Sequence, residues 1–361
     1  MDTSLFDYEL PQEQIAQAPA EPRDASRLLV VNRKSGELDH QVFSELPDLL
    51  PAGSQLFRNT AAVLKARIHA KLHTGGKVEC LLLYPGEVPE TWWCLLKPGR
   101  KLHPGRMFGL DGIFSAEVLE KKENGQCLVR FECEGRRSVQ DLAHDVGRLP
   151  LPPYIARNDN ATQDAEDMKR YQTVYADPEQ KVAAAAPTAG LHFTEELLNC
   201  LEVRGFVFHD LLLRIGLGTF KPIQVERLEE HSMHSEAYQI PAETLVALQN
   251  SQTGPRVAVG TTSVRTIEDA LRKIQQEDCR ESQNSHYRGE ASLFLYPPDS
   301  FLGVDALITN FHLPRSTLLC LVSAFLTPGS TDGINWIKKI YAEAVREGYR
   351  FYSYGDAMLI L

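Results

Sequence analysis

The alternation of apolar and polar residues changes twice along the chain, and each part predicts a different architecture. In the first 63 residues, the apolar run Arg27–Val31 predicts a strand, and the cluster Lys34–Gly36 predicts the turn that follows it. From about residue 64 to residue 146, short apolar runs alternate with turn residues. This pattern predicts short strands, over Val78–Tyr84, Trp92–Leu96, Ala116–Lys121 and Gln126–Cys133.

The dipeptide Asn124-Gly125 lies between the last two of these strands. Asn-Gly between alternating apolar runs indicates a β-hairpin, because both residues tolerate the positive φ angles of a tight turn. Several short strands with no helical pattern between them predict a small antiparallel barrel. The proline-containing segment Leu149–Pro153 follows and is typical of a domain boundary.

After about residue 154, predicted strands and helices alternate. Thr194 is a suitable N-cap for a helix over Thr194–Arg204, and Gly205 suits the position after its end. Further elements are predicted as helices over Ser263–Ile274 and Ile334–Arg346, and as strands over Val207–Ile215, Val257–Val259, Ala291–Leu295, Ala306–Thr309 and Phe351–Tyr354. The predicted fold class is α/β: a large mixed α/β domain (residues 1–63 and 151–361) with an inserted small antiparallel β-barrel domain (residues 64–150).

Composition supports a globular, water-soluble chain. Its 361 residues are enough for about two domains, and 43% hydrophobic with 24% charged residues excludes a disordered or fibrous protein. The longest mostly apolar stretch, Leu318–Leu326, is about half as long as a membrane span. Met1–Leu10 has no apolar core, so we expect no signal peptide, a cytoplasmic location and no membrane contact.

Cysteine spacing and net charge argue against several kinds of site and binding partner. Seven scattered cysteines without a C-x-x-C pair argue against a disulfide framework and a zinc ribbon. A net charge of −10 argues against a general nucleic-acid binder. Residues 64–150 nevertheless carry a net +3, against −13 for the rest. This asymmetry allows a local RNA-facing surface on the barrel, although a solvated face explains it equally.

Two predicted loops combine small residues with polar ones. Ala185–Thr194 reads A-A-P-T-A-G-L-H-F-T directly before a helix, so a ligand can approach the backbone, and His192 lies where it can hold a ligand or move a proton. A tight loop with a satisfied histidine is the alternative. Gly216–Pro222 follows a strand and also allows close backbone approach, but a plain β-turn is the simpler interpretation.

The segment His231–Glu236 places two imidazoles and a carboxylate close together. In an extended segment, His234 and Glu236 share a face, which suits a histidine oriented by a carboxylate. No further histidine or cysteine recurs at ligand spacing, so a metal site is not expected. A solvated polar segment is the alternative.

Three further motifs follow predicted strands, where ligands of α/β proteins bind. Ala258–Arg265 offers hydroxyls, free N–H groups and an arginine suited to a carboxylate, although ordinary helix capping is the alternative. Thr309–Thr317 presents Asn310, His312 and Arg315. Tyr349–Met358 places Asp356 after a run of aromatics that can stack on bases or form core.

Taken together, the motifs closely resemble one family, the S-adenosylmethionine:tRNA ribosyltransferase-isomerases of queuosine biosynthesis. The resemblance runs over nearly the whole chain. It rests on Phe6–Pro11 with Ile15–Gln17, Arg27–Leu29, Tyr171–Ala176, Ala185–Thr194, Gly216–Phe220, His231–Glu236, Val259–Glu268, Asp305–Leu319 and Tyr349–Met358.

The resemblance implies a definite reaction. Family members transfer the ribosyl part of S-adenosylmethionine to 7-aminomethyl-7-deazaguanine at the wobble position of tRNAs with a G-U-N anticodon. The sugar isomerises to give epoxyqueuosine, and adenine and methionine leave. S-adenosylmethionine is thus expected as a co-substrate, with no true cofactor, and the family fold is a large α/β domain with an inserted β-barrel. We expect a monomer.

The resemblance also implies roles for residues of this chain. Proton transfers are expected from His192, His234 and His312. Candidate substrate-binding residues, which anchor the methionine or ribose or orient other groups, are Thr188, Gly190, Thr219, Glu236, Thr261, Thr262, Ser263, Arg265, Asn310, Arg315 and Asp356. Candidate tRNA phosphate contacts are Lys97, Arg100, Lys101, Arg136 and Arg137.

The chain departs from the family pattern at several positions. Asn59–Val63 reads N-T-A-A-V where members usually show N-D-T-R-V, and Arg214 occupies a usual histidine. Val182–Ala184 replaces a usual G-S-V, and Tyr154–Lys169 is long and acidic. These departures support a rival hypothesis, a catalytically inactive descendant that binds RNA or a nucleoside. A methyltransferase-like binder is less supported, because no glycine-rich first strand–turn–helix is present.

Overall fold

The structure is a computed structural model that describes residues 1–157, 161–183, 185–214, 216, 222–250, 254–277 and 286–361. Its strands are β1 (Arg27–Val31), β2 (Leu38–Val42), β3 (Gln55–Asn59), β4 (Ala62–Val63), β5 (Arg67–Leu72), β6 (Lys77–Pro85), β7 (Thr91–Lys97), β8 (Met107–Leu110), β9 (Phe114–Lys121), β10 (Gln126–Cys133), β11 (Lys181–Ala183), β12 (Val207–Leu213), β13 (Glu236–Ile240), β14 (Arg256–Val259), β15 (Tyr287–Ala291), β16 (Ala306–Asn310) and β17 (Ala357–Ile360). Its helices are α1 (Leu46–Leu49), α2 (Val139–Val146), α3 (Ala161–Arg170), α4 (Glu195–Val203), α5 (Ala242–Gln249), α6 (Thr261–Glu277), α7 (Thr317–Leu326) and α8 (Gly333–Arg346).

Nine strands form one large mixed sheet in the order β15-β13-β12-β3-β14-β16-β17-β1-β2. Strands β12, β3, β14 and β16 run parallel to one another at its centre. Every residue of β16 and β17 is buried, because helices and loops cover both faces of the sheet. The carboxyl ends of the parallel strands therefore meet at one edge, where ligands bind in such folds.

Strands β5–β10 form a closed antiparallel barrel in the order β10-β7-β6-β5-β8-β9. Inward-facing residues such as Ile68, Cys80 and Val129 fill it. The predicted hairpin is confirmed: β9 pairs antiparallel with β10, and Gly125 in the turn has φ +85°. The predicted fold class is confirmed. The barrel strands all lie between residues 64 and 150, but the exact domain limits stay a prediction.

Most predicted elements in the described chain are found within a few residues, but two strands are wrong. Ala291–Leu295 is not a strand, because β15 ends at Ala291, opposite Glu236, where its partner β13 begins. Phe351–Tyr354 is a buried turn: Tyr352 has φ +72° and accepts a hydrogen bond from the N–H of Gly355. The final strand is β17 instead.

The apolar stretch Leu318–Leu326 lies within α7, whose residues pack in the core beside α8. No helix in the described part of the chain combines the length and apolar character needed to cross a bilayer.

Candidate active site

Several predicted loops meet at the carboxyl edge of the parallel strands. Two small cavities, of about 30 Å³ each, adjoin there and share Thr188, Asn310, His312 and Leu318. The first is also lined by Ala186, Ala189, Gly260, Thr261, Thr262 and Thr309, and the second by Tyr154, Phe311, Leu313, Ser316, Tyr352 and Ser353. We call this pair of cavities the strand-end cleft. It brings together the motifs around residues 188, 261, 310 and 352 that the sequence placed in separate loops.

His192 is held in a hydrogen-bonded chain beneath this cleft. The Thr188 hydroxyl donates to Asn310 Oδ1 at 2.8 Å, and Asn310 Nδ2 lies 3.1 Å from His192 Nε2. His192 Nδ1 lies 2.8 Å from the hydroxyl of Ser26, at the start of β1. Because the Asn310 amide donates to Nε2, the proton of a neutral His192 is on Nδ1, where it donates to Ser26.

Burial makes the imidazoles of His192 and His312 hard to protonate. It lowers the pKa of His192 to about 4, although the nearby Asp356 carboxylate acts in the opposite direction. Burial also lowers the pKa of His312 to about 3. Both rings are therefore neutral at neutral pH, and a neutral imidazole can accept a proton.

His312 is the histidine that lines both halves of the strand-end cleft. Its Nε2 lies 2.8 Å from the Thr309 hydroxyl, which also lies 3.4 Å from the Asn310 carbonyl oxygen. When Thr309 donates to that carbonyl, the His312 Nε2–H donates to Thr309, and Nδ1 presents a lone pair. This arrangement leaves Nδ1 able to accept a proton.

The turn before α6 offers polar groups to the cleft. Gly260 has φ +88° and lets the chain turn from β14 into α6 beside Ala189. The Ser263 hydroxyl donates to the Val259 carbonyl, so it serves the turn itself. The Thr262 hydroxyl is buried and lacks a hydrogen-bond partner among the described residues, and it lines the cleft. It is therefore available to a ligand.

Arg265 lies one helical turn after Thr261 and forms a buried ion pair. Its Nη1 lies 2.5 Å from a Glu236 carboxylate oxygen, and both side chains are 6% exposed. Arg265 Nη2 also donates to the Ala291 carbonyl, and Glu236 accepts from the Gly216 N–H at 2.8 Å. The predicted carboxylate clamp is thus already engaged by a carboxylate of the protein.

Asp356 and Arg315 organise loops. Asp356 is buried and accepts hydrogen bonds from the N–H and guanidinium of Arg350 and from the Arg27 N–H. Arg315 has φ +54°, and its backbone bonds to Phe6 and Ile223. These contacts fix the two loops that border the strand-end cleft.

Close packing against Tyr175 leaves no room for a side chain at Gly190. A methyl group there would lie 2.0 Å from the Tyr175 hydroxyl oxygen. The structure therefore gives a steric reason for glycine at this position, in addition to any role in binding substrate.

The remaining predicted site residues are not gathered in the cleft. His234 is exposed, two residues before Glu236, and does not line either cavity. Thr219 lies outside the described residues. Among the described side chains, no group of three or more His, Cys, Asp or Glu is arranged to hold a metal ion.

The predicted RNA contacts lie in three places on the barrel side. Lys97 lines a large cavity described below. Arg100 and Lys101 are exposed in a 3₁₀ turn after β7. Arg137 is exposed and paired with Asp145 at 2.5 Å, and the Arg136 side chain is outside the described structure.

The departures near residue 60 are accommodated without loss of packing. Asn59 is buried and bonds to both the N–H and carbonyl of Leu213. Ala61 and Ala62 are buried, with Ala62 in β4. Arg214 points to solvent at the end of β12. The fold is therefore kept where the usual polar residues are missing.

Sequence reasoning missed Ser26, Thr309 and Tyr154 as members of this site. Ser26 binds His192, Thr309 binds His312, and the Tyr154 hydroxyl lies 2.6 Å from the Ser353 hydroxyl. Thr309 could have been predicted from the sequence, because it lies beside Asn310 at the end of the same buried strand. The other two come from distant parts of the chain.

Comparisons with known proteins find similarities over nearly the whole chain. Residues 3–360 match the family described as Queuosine biosynthesis protein. The S-adenosylmethionine:tRNA ribosyltransferase-isomerase of Thermotoga maritima is 46% identical, covering 100% of both chains, and that of Desulfitobacterium hafniense is 45% identical over 99% of this chain and 98% of its own. A crystal structure of S-adenosylmethionine tRNA ribosyltransferase from T. maritima matches 99% of this chain and 100% of its own, with 36% identity and a TM-score of 0.53.

Proposed function

Because the chain belongs to the Queuosine biosynthesis protein family, we propose that it transfers and isomerises the ribosyl group of S-adenosylmethionine onto a tRNA base. The acceptor is the aminomethyl group of 7-aminomethyl-7-deazaguanine at the wobble position of G-U-N anticodons. The products are epoxyqueuosine-tRNA, adenine and methionine. S-adenosylmethionine is a co-substrate that is consumed.

The convergence of the loops at residues 188, 261, 310 and 352 on one cleft carries this proposal. The cleft combines the neutral imidazole of His312, a Thr262 hydroxyl that is buried without a hydrogen-bond partner among the described residues, and the aromatic rings of Tyr154 and Tyr352, whose centroids lie 4.7 Å apart. A sulfonium nucleoside needs each of these: a base, polar contacts and an apolar wall for its purine.

The reaction needs a base to remove a proton from the carbon beside the sulfonium, which the positive sulfur acidifies. It also needs an acid to help adenine leave, and a group to take the proton of the attacking amine. We assign these transfers to His192, His234 and His312. His312 is best placed for the first, because it is the histidine that lines both halves of the cleft.

Substrate anchoring follows from the same elements. The cleft is lined by Thr188, Thr261, Thr262 and Asn310, and Gly190 and Ser263 lie in the turns beside it. Arg315 and Asp356 fix the neighbouring loops. Arg265 anchors the methionine carboxylate by exchanging part of its pairing with Glu236. Thr219 completes this set. The enzyme acts as a cytoplasmic monomer, with tRNA phosphates near Lys97, Arg100, Lys101, Arg136 and Arg137.

Loss of activity with retention of the fold is the rival function, and the buried Ala61 and Ala62 favour it. One assay separates the hypotheses. The protein is incubated with S-adenosylmethionine and tRNA carrying the aminomethyl-deazaguanine base. The proposed enzyme releases adenine and methionine, a methyltransferase releases S-adenosylhomocysteine, and an inactive binder releases neither while still retaining tRNA.

A further inference from the structure

A cavity of about 820 Å³ lies between the barrel and the large α/β part of the chain. We call it the interdomain cleft. Its walls come from β5–β7, the segment after α2 and helix α3. The lining includes six cations (Lys65, Arg67, Lys97, Arg148, Arg157 and Lys169) and three acids (Glu79, Asp164 and Asp167).

The acids neutralise only part of this positive charge. Arg157 makes a bidentate pair with Asp167 at 2.6 and 2.9 Å. Arg148 lies 3.6 Å from Asp164, and Lys97 lies 3.4 Å from Glu79. Within the described structure, the remaining lining cations form no ion pair with a carboxylate; they are Lys65, Arg67 and Lys169. A positive cleft on a chain of net charge −10 concentrates anions locally.

Two of the arginines lie directly opposite each other in the chain pairing beside the cleft. Arg67 and Arg148 face each other in an antiparallel bridge, with N–H to carbonyl distances of 3.1 and 2.9 Å in the two directions. Like charges directly opposite each other are destabilising in such a pair. The Arg67 Nε is also buried without a hydrogen-bond partner among the described groups. A bound anion would relieve both features.

The interdomain cleft shares its wall with the strand-end cleft. Ile155 lines the interdomain cleft, and its neighbour Tyr154 lines the strand-end cleft and bonds to Ser353. Asp167, in the interdomain cleft, accepts a hydrogen bond from the Tyr354 hydroxyl at 2.9 Å. A polyanion in the interdomain cleft therefore passes next to the proposed reaction site.

We propose that the interdomain cleft binds the phosphodiester backbone of the RNA substrate and so positions the target base beside Tyr154. This inference rests on the proposed function for the identity of the polyanion. It assigns the main phosphate contacts to Lys65, Arg67, Arg148 and Lys169. The exposed Arg100, Lys101 and Arg137 do not line this cleft.

The test uses the full-length protein and a fluorescent anticodon stem-loop RNA with an unmodified guanine. The double variant Lys65→Glu with Lys169→Glu is compared with Lys34→Glu with Lys339→Glu, which makes the same charge change at exposed lysines outside the cleft. Affinity is measured by anisotropy over a range of salt concentrations. A second pair, Lys65→Gln with Lys169→Gln, repeats the comparison if the glutamate variant unfolds.

We expect the cleft variant to bind at least about tenfold more weakly at 0.1 M salt, with a log–log salt slope shallower by about 0.7 to 0.9 per lost phosphate contact. The neutral variant should lose less, and the control pair should bind within about twofold of the wild type. Equal affinities and slopes for cleft and control variants would overturn the proposal. If the wild type shows this cleft-dependent binding but releases no adenine from S-adenosylmethionine, the proposed reaction fails and the cleft assignment stands.

Discussion

Asn310 Nδ2 lies 3.1 Å from His192 Nε2, and this contact joins two loops that are 118 residues apart in the chain. The same asparagine accepts a hydrogen bond from Thr188, so one amide fixes both a ring and a cleft hydroxyl. Both His192 nitrogens are engaged, whereas His312 has Nε2 bound to Thr309 and lines the cleft directly. The two histidines are therefore not equivalent, which makes their roles separable by experiment.

Thr262→Val tests whether the buried Thr262 hydroxyl, which has no hydrogen-bond partner in the described part of the chain, binds the ligand. We expect the free energy of unfolding to change by less than about 0.5 kcal/mol, because no described hydrogen bond is lost. Binding of S-adenosylmethionine, measured by calorimetry, should weaken about fivefold to tenfold through loss of one hydrogen bond. Ser323→Ala is the control, because that hydroxyl bonds to Leu319 inside α7 and its loss should affect stability alone. Unchanged binding by Thr262→Val would remove it from the site.

His312→Gln and His234→Gln separate a buried imidazole in the cleft from an exposed one outside it. We expect His312→Gln to lower the rate of adenine release by about 10² to 10⁴, the usual contribution of a general base. His234→Gln should have a smaller effect, because His234 does not line either cavity. Single-turnover adenine release at saturating S-adenosylmethionine measures both rates. A larger loss in His234→Gln would exchange their roles.

The parts of the fold that depend on local signals could be predicted from the sequence. The helix after Thr194 begins as expected, because the Thr194 hydroxyl accepts from the Leu197 N–H and Gly205 ends it with φ +86°. The Asn124-Gly125 hairpin follows from turn chemistry in the same way. The strand predicted over Phe351–Tyr354 is wrong, because alternating aromatic residues occur in a buried turn as well as in a strand.

The site could be predicted only as a set of loops. Strand ends mark Thr262, Asn310 and His312, since polar residues after buried strands are visible in the sequence. The engagement of Arg265 by Glu236 depends on how β13 packs beside α6, and no local pattern records it. Tyr154 reaches the cleft because of where the chain leaves the barrel, which the sequence does not give.

The stability of the protein should fall as the pH drops below 6.5. Burial lowers the pKa of His192 from 6.5 to about 4 and that of His312 from 6.5 to about 3. Above pH 6.5 both histidines are neutral in the folded and the unfolded protein. Below pH 6.5 the unfolded chain binds protons at these histidines that the folded protein does not bind. The free energy of unfolding therefore falls progressively until the pH reaches the folded-state pKa values. Each histidine should contribute a slope of about 1.4 kcal/mol per pH unit in that window.

Urea unfolding between pH 7 and pH 4.5 measures this slope. His312→Gln should reduce the slope of unfolding free energy against pH by the contribution of one buried histidine. His103→Gln, at an exposed position on the barrel, should leave the slope unchanged. An identical slope in His312→Gln would show that His312 is not held neutral by burial.

The Arg265–Glu236 pair should respond strongly to removal of one partner. Glu236→Ala leaves a buried guanidinium without its carboxylate, so we expect a loss of about 3 to 5 kcal/mol in urea unfolding. Asp48→Ala, which breaks an exposed pair with Arg204, should cost less than about 1 kcal/mol. The double variant Glu236→Leu with Arg265→Met should be more stable than the sum of its single changes predicts. Strict additivity would mean that the pair is not coupled.

Gly190 and Tyr175 should show opposite effects that partly cancel. A methyl at 190 would lie 2.0 Å from the Tyr175 hydroxyl oxygen, so Gly190→Ala should cost about 1 to 3 kcal/mol by overpacking. That hydroxyl is buried without a partner among the described residues, so Tyr175→Phe should be neutral or stabilising by about 1 kcal/mol.

The double variant Gly190→Ala with Tyr175→Phe should recover part of the loss, because the oxygen nearest the new methyl is gone. Recovery stays incomplete, since a Thr173 methyl would still lie 2.8 Å away. Gly99→Ala is the matched control: a methyl there meets no neighbour, and the change should stay within about 0.5 kcal/mol. If Gly190→Ala is as harmless as Gly99→Ala in urea unfolding yet lowers the affinity for S-adenosylmethionine, then Gly190 is kept for the ligand and not for packing.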